Sequence, residues 1–229
     1  MTLFLIPTIL APDTQDAVLS PQIREVVSSL NVFFVEELRT ARRFISSLKL
    51  GKVIDGITFY ELNKDTPHGE TLAQLKNLTT DAGIISEAGC PGIADPGAVA
   101  VGFAHRLGHK VVPLVGPSSI LMALMASGFN GQSFTFHGYL PIDKLLKIKA
   151  LQALEQTAKK KNQTQIFMET PFRNNQLLDD VLQNLNPETL LCIACNVTAK
   201  DEFIKTLPLK EWQKSKPDLH KKPTIFLLL

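Results

Sequence analysis

The stretch Ser86-Glu-Ala-Gly-Cys-Pro-Gly-Ile-Ala-Asp-Pro-Gly97 holds three glycines and two prolines in twelve residues. Glycine lets a ligand come close to the backbone, and proline fixes that backbone beforehand. The stretch follows the apolar run 82–85, which reads as the end of a buried strand. It precedes 98–107, which reads as a helix. A strand-to-helix loop of this kind lies where open α/β sheets usually bind ligands. It is neither a dinucleotide fingerprint, since G-x-G-x-x-G is absent, nor a Walker loop, since no Gly-Lys-Ser/Thr follows.

Two further segments have the same character: Val115-Gly-Pro-Ser-Ser119 and Phe167-Met-Glu-Thr-Pro-Phe-Arg173. At successive strand ends, the three suggest one cleft lined by both halves of the chain. Carboxylates fall at strand ends as well: Glu36, Glu37, Glu61, Glu87, Asp95 and Glu169. Each suits a general base, or merely accepts from backbone amides or caps a helix. For Asp95 the cap is favoured, because Pro96 and a helix follow. His137 ends a strand and reads as a satisfied polar group. His105 and His109 have no carboxylate between them and read as a helix end. Cys192-Ile-Ala-Cys195 lies in a buried-strand pattern with no second pair, so no metal site is expected. No Gly-x-Ser-x-Gly elbow is present.

The chain has 229 residues, 45% hydrophobic and 20% charged, which suits one large domain or two small ones. A net charge of +2 decides little about nucleic acid. Local basic patches at Arg39/Arg42/Arg43, Lys159–Lys161 and His220–Lys222 read first as solvated faces. Three cysteines without framework spacing point to a reducing compartment. The N-terminus lacks signal-peptide features and no apolar run reaches membrane-spanning length, so a cytoplasmic protein without a membrane partner is expected.

The elements that must position these residues follow from apolar periodicity. Strands are expected at 3–6, 32–35, 57–60, 82–85 and 110–114, and helices at 21–30, 37–48, 70–78 and 98–107, with Ser20 as an N-cap. This alternation predicts a parallel sheet with helices on both faces. After the apolar helix 120–126 the chain becomes strand-rich, at 133–137, 165–168, 190–194 and 224–229. Helices interleave at 145–160 and 174–185. The expected division is an N-terminal α/β domain, 1–114, and a C-terminal α/β domain, 115–229, with a mixed sheet.

Together these segments resemble the tetrapyrrole-methylase superfamily, and within it the small-subunit ribosomal RNA methyltransferase I family. The family loop Ser-Asp-Ala-Gly-Thr-Pro-x-Ile-Ser-Asp-Pro-Gly is similar to Ser86–Gly97, differing only at Glu87, Cys90 and Ala94. Pro-Gly-Pro-Ser-Ala is matched by Val115–Ser119, and Ala-Ser-Gly by Ala126–Gly128. Gly-Phe-Leu-Pro is matched by Gly138–Pro141. Phe-Tyr-Glu-Ser-Pro-His-Arg is matched by Phe167–Arg173, and Ala-Glu-Asp-Thr-Arg by Val35–Arg39. There are departures. Pro-Thr-Pro-Ile-Gly-Asn-Leu is here Pro7-Thr-Ile-Leu-Ala-Pro-Asp13. A His-Asn-Glu element becomes Leu62-Asn-Lys64, and an Arg-Glu pair becomes Cys195-Asn196. The chain also ends on an apparent strand, without the extension some members carry.

The resemblance implies a two-domain α/β fold, a homodimer, and S-adenosylmethionine in the cleft between domains, held largely by backbone groups. The cofactor set it implies is Pro7, Glu87, Ala88, Gly89, Cys90, Ile93, Ala94, Asp95, Gly116, Pro117, Ser118, Ser119 and Met168. The implied reaction is 2′-O-methylation of a ribose in small-subunit rRNA. Glu169, or after it Glu36 or Glu61, would orient or deprotonate the acceptor, and Arg39, Asn63 and Arg173 would hold substrate. Two other readings stay open: a corrin or porphyrin methyltransferase, and a non-catalytic RNA-binding or ribosome-assembly module that keeps the fold. The former usually begins with Gly-x-Gly-Pro-Gly-Asp, absent here.

Overall fold

The computed structural model describes every residue from Met1 to Leu229. The chain forms two compact units, Met1–Ser118 and Ser119–Leu229, so the division falls after Ser118 rather than after residue 114.

In the first unit five strands alternate with helices: β1 (Thr2–Ile6), α1 (Gln15–Val18), α2 (Pro21–Ser29), β2 (Val32–Val35), α3 (Leu38–Ser47), β3 (Thr58–Glu61), α4 (His68–Asn77), β4 (Ala82–Ile85), α5 (Gly97–Arg106) and β5 (Lys110–Pro113). The sheet order is β3-β2-β4-β1-β5 and every pairing is parallel. Successive side chains of a strand point to opposite faces. Phe4 and Ile6 of β1 with Phe33 and Val35 of β2 therefore meet Ile23, Val27, Phe44 and Ile45 of α2 and α3 on one face. Leu3 with Phe34 and Ile84 meets Leu75, Ala100 and Ala104 of α4 and α5 on the other. Helices thus cover both faces, as the alternation predicts. Ser20 precedes α2, but its hydroxyl makes no capping bond and is buried without a partner. The Ile23 N–H donates instead to the Ser20 carbonyl at 3.1 Å.

The connections set the ligand edge. From β1 the chain leaves across the face covered by α2; from the adjacent β4 it leaves across the face covered by α5. Neighbouring strands whose connections depart to opposite faces leave a crevice beyond their carboxyl ends. The loop 86–97 hangs there.

The second unit comprises α6 (Ser119–Ser127), β6 (Phe134–Tyr139), α7 (Lys144–Lys161), β7 (Thr164–Met168), α8 (Asn174–Asn184), β8 (Leu190–Cys195), β9 (Phe203–Pro208), α9 (Leu209–Lys214) and β10 (Thr224–Leu228). Its sheet, β6-β7-β10-β8-β9, is mixed: β6 and β7 run parallel and the remaining pairs antiparallel. Phe167, Ile193 and Phe226 pack with Leu151, Leu177, Val181 and Trp212 in a single core. Strand β9 and helix α9 had no counterpart in the sequence reading. No helix is long and apolar enough to cross a membrane.

Phe33 is fully buried on the face opposite Phe34. Phe33→Ala is expected to cost about 3–5 kcal/mol through lost burial and a cavity, read from urea unfolding curves.

Candidate active site at the carboxyl edge of the parallel sheet

Three strand ends of the first unit are joined by backbone. The Thr8 N–H, just past β1, donates to the Gly89 carbonyl at 2.9 Å. The Thr8 hydroxyl donates to the Ser86 carbonyl at 3.2 Å, and the Ser86 hydroxyl to the Gly89 carbonyl at 2.7 Å. Past β5, the Pro117 carbonyl accepts from the Cys90 thiol at 3.3 Å. A side chain on Gly116 would overlap the Pro7 ring, so the Gly116 backbone packs directly on that ring. Gly89 has φ +74°, in the left-handed region where a side chain is strained. Ala94 occupies the same region at φ 59°. Asp95 closes the loop, its Oδ1 accepting from the Gly92 N–H at 2.6 Å and the Gly97 N–H at 2.8 Å. Asp95 thus ties the loop to the first residue of α5; the N-cap itself is Pro96, without a side-chain capping bond, in place of the expected Asp95 cap.

Carboxylates gather around this loop. Glu36, half-buried at the end of β2, has its pKa raised by burial and then by the negative charges of Glu87 and Asp95. Glu87, on the exposed start of the loop, is raised by partial desolvation and by Glu37, against a lowering hydrogen bond with Thr40. Asp95 is raised by burial, despite its two backbone bonds. Glu37 goes the other way. It caps α3, accepting from the Thr40 hydroxyl and from the N–H groups of Arg39 and Thr40, and these bonds lower its pKa. Glu61 is exposed at the end of β3. Asn63 is spent locally: its Oδ1 accepts from the Asp65 N–H at 3.0 Å and the Thr66 hydroxyl at 3.1 Å. Arg39 is exposed at the start of α3. Beside the loop, a cavity of about 520 Å³ is lined by 8–13, Thr40, Arg43, Phe44 and Glu87 among others.

In the second unit, Met168 ends β7 and Glu169 follows it, 5% exposed. Its Oε1 accepts from the Thr170 N–H at 2.7 Å and from Arg173 at 2.7 Å. Arg173 Nε is buried without an acceptor. His137 shares a hydrogen bond of 2.8 Å with the Gln165 amide oxygen, the satisfied polar group expected. Cys192 and Cys195 are buried, unpaired thiols in β8.

The comparisons with known proteins fit this arrangement. No family model matches the chain. It is 30% identical over 215 residues to the ribosomal RNA small subunit methyltransferase I of Vibrio cholerae, covering 91% of this chain and 69% of that protein. With the protein of the same name from Leptospira borgpetersenii it is 31% identical over 192 residues, covering 81% and 72%.

The chain belongs to the ribosomal RNA small subunit methyltransferase I family.

A further member, from Bacillus subtilis, is 31% identical over 182 residues, covering 79% of this chain and 60% of its own length. Among solved structures, the methyltransferase CobJ superposes with a TM-score of 0.63 at 17% identity, covering 99% of this chain and 92% of its own. The uroporphyrin-III C-methyl transferase of Thermus thermophilus, complexed with S-adenosyl homocysteine, gives 0.58 at 14% identity, covering 100% and 97%. At such identities the structures establish the tetrapyrrole-methylase fold, and the sequence relatives establish the family.

Of the residues expected to hold the family's cofactor, Pro7, Gly89, Cys90, Gly116 and Pro117 come together directly, and Asp95 shapes the same loop. Ile93 is 54% exposed on that loop. Thr8 and Ser86 join the same loops, and Thr40 and Arg43 line the cavity beside them, although none was among the residues expected from the sequence. Ser86 lies within the quoted loop, and its sequence signal was a small hydroxyl three residues before a glycine.

Raised carboxylates carry a stability consequence. A carboxyl whose folded pKa exceeds its unfolded value disfavours folding once ionised. That loss begins as pH rises through the unfolded value and is complete above the folded one. Glu36→Gln is therefore expected to raise the melting temperature at pH 7, with the gain vanishing below about pH 4, where both states are protonated. Paired thermal melts across pH check this.

Proposed function

We propose that the chain transfers a methyl group from S-adenosylmethionine to a ribose 2′-hydroxyl of small-subunit rRNA. The observation that carries the donor half is the backbone cradle made by 7–8, 86–97 and 116–117. A side chain is excluded at Gly116 by the Pro7 ring and strained at the left-handed Gly89, so both positions contribute backbone alone. The residues fit the cofactor in charge as well. Glu36, Glu87 and Asp95 place negative charge beside that cradle, complementary to a sulfonium cation. When bound, S-adenosylmethionine supplies an already activated methyl group, so the protein's tasks are alignment and proton removal.

A ribose hydroxyl is a weak acid, and a base with a pKa nearer neutrality removes its proton more effectively. Glu36 fits this best, since burial and two neighbouring carboxylates raise its pKa. Glu169 is instead tied to Arg173 and a backbone N–H. Its role in this reading is to hold Arg173, a phosphate contact, in place. Arg39 and Arg43 at α3 serve the same electrostatic purpose beside the cradle. A homodimer and a cytoplasmic location belong to this reading and rest on the resemblance to the family.

Calorimetry with S-adenosylmethionine and methyl transfer to under-methylated small subunits test the proposal. Wild-type protein is expected to do both. Gly116→Ala should weaken cofactor binding at least tenfold, because the new methyl group collides with Pro7. Glu36→Gln should keep cofactor binding and lose about 10²–10⁴-fold in turnover. Cofactor binding without transfer to RNA would assign another acceptor, and an absence of cofactor binding would leave a non-catalytic module.

A further inference from the structure

Two turns of the second unit are tied into one support. The turn 170–173 leads from β7 into α8, and the turn 219–222 precedes β10. The Lys221 N–H donates to the Pro171 carbonyl at 2.9 Å. Asn174 Nδ2 donates to the Lys222 carbonyl at 2.7 Å. Asn175 takes the Leu219 N–H on its oxygen at 2.8 Å and donates to Asp218 Oδ1, also at 2.8 Å. The first turn of α8 thus fixes both loops.

Phe172 stands on this support with 68% of its surface exposed. His220 meets its ring edge-on, with centroids 6.0 Å apart at 77°. The Lys221 ammonium lies 5.8 Å from the ring centroid. Lys221 is held at φ 60°, a conformation unfavourable for a residue with a side chain, by its bond to Pro171. Arg173 follows Phe172 in sequence, and Lys222 follows Lys221, its ammonium donating to the Asp218 carbonyl at 2.9 Å. Of the nearby carboxylates, Glu169 pairs with Arg173, and Asp218 is turned to Asn175 and the His220 N–H. Lys216, further along, is already paired with Asp179.

We propose that Phe172, with His220 and Lys221 against its ring, is a stacking platform for an unpaired base of single-stranded RNA. The proposal rests on the rRNA reading above and deepens it by naming a contact of the second unit with the acceptor. A base offers a π-face to the phenyl ring, and its phosphates offer anions to the surrounding cations. An apolar protein partner would instead strip water from Lys221 and Lys222 without replacing it. The family pattern has histidine where this chain has Phe172, and both rings stack on bases.

The test is fluorescence anisotropy with the full chain and a fluorescein-labelled single-stranded RNA of about twelve mixed-sequence nucleotides. An otherwise identical strand with abasic nucleotides is the control. Phe172→Ala is expected to weaken binding of the base-bearing strand about 5- to 50-fold. Phe172→Trp should restore it, and the abasic strand should bind wild type and Phe172→Ala alike. No binding by wild type, or equal binding by wild type and Phe172→Ala, overturns the proposal. A change in sedimentation coefficient for Phe172→Ala also overturns it and assigns the ring to a contact between copies. The methyl-transfer assay separates the two readings. RNA binding lost on Phe172→Ala, in a protein that methylates no subunit, refutes the reaction and keeps the platform. Full transfer with unchanged binding refutes the platform alone.

Discussion

The contact between the Gly116 backbone and the Pro7 ring is the constraint on which the rest of the site depends. It brings the ends of β1 and β5 together with only the Pro7 ring between their backbones. The bond from Thr8 to Gly89 brings the end of β4 into the same group. Parallel strands cannot be joined by hairpins, so their carboxyl ends meet only through loops. Here those loops are fixed by one another. A ligand entering this edge meets polar backbone already in place and need not order it, which conserves binding free energy.

The same edge concentrates negative charge that the fold does not neutralise. Glu36, Glu87 and Asp95 are all raised in pKa, each chiefly by burial, and Glu36 in addition by the other two. Desolvating a carboxylate opposes folding, and perturbed carboxylates gather at functional sites. Asp95 in addition accepts two backbone N–H bonds. Glu37 and Glu169 differ from Glu36 in being tied by hydrogen bonds: one caps α3, the other holds Arg173. Strand-end position alone did not separate these carboxylates. Environment does.

This difference marks what was legible in the sequence. The parallel sheet was plain, because strands such as Val32–Val35 are buried on both faces and read as unbroken apolar runs. The ligand loop was plain, because its glycines and prolines serve local backbone geometry. Strand β9 and helix α9 were not. Phe203-Ile-Lys-Thr-Leu-Pro208 is an edge strand that pairs only with β8, so it tolerates Lys205 and a terminal proline and shows no clean alternation. The bonds between loops were hidden for another reason. Thr8 and Ser86 are 78 residues apart, and no local pattern announces their meeting.

The departures from the family motifs take on a physical meaning once they are placed in the fold. Where the family carries Gly-Asn, this chain has Ala11 and Pro12, and Leu10 just before them packs against Gly89. The change thickens the apolar wall behind the cradle and leaves the cradle's own backbone contacts intact. Asn63 is absorbed in its own turn, and Asn196 donates to Asp201 at 2.8 Å. None of these changes touches the contacts among Pro7, Gly89 and Gly116. The contacts among Pro7, Gly89 and Gly116 rest on backbone and one proline ring, so the departures around them leave this part of the loop cluster unchanged.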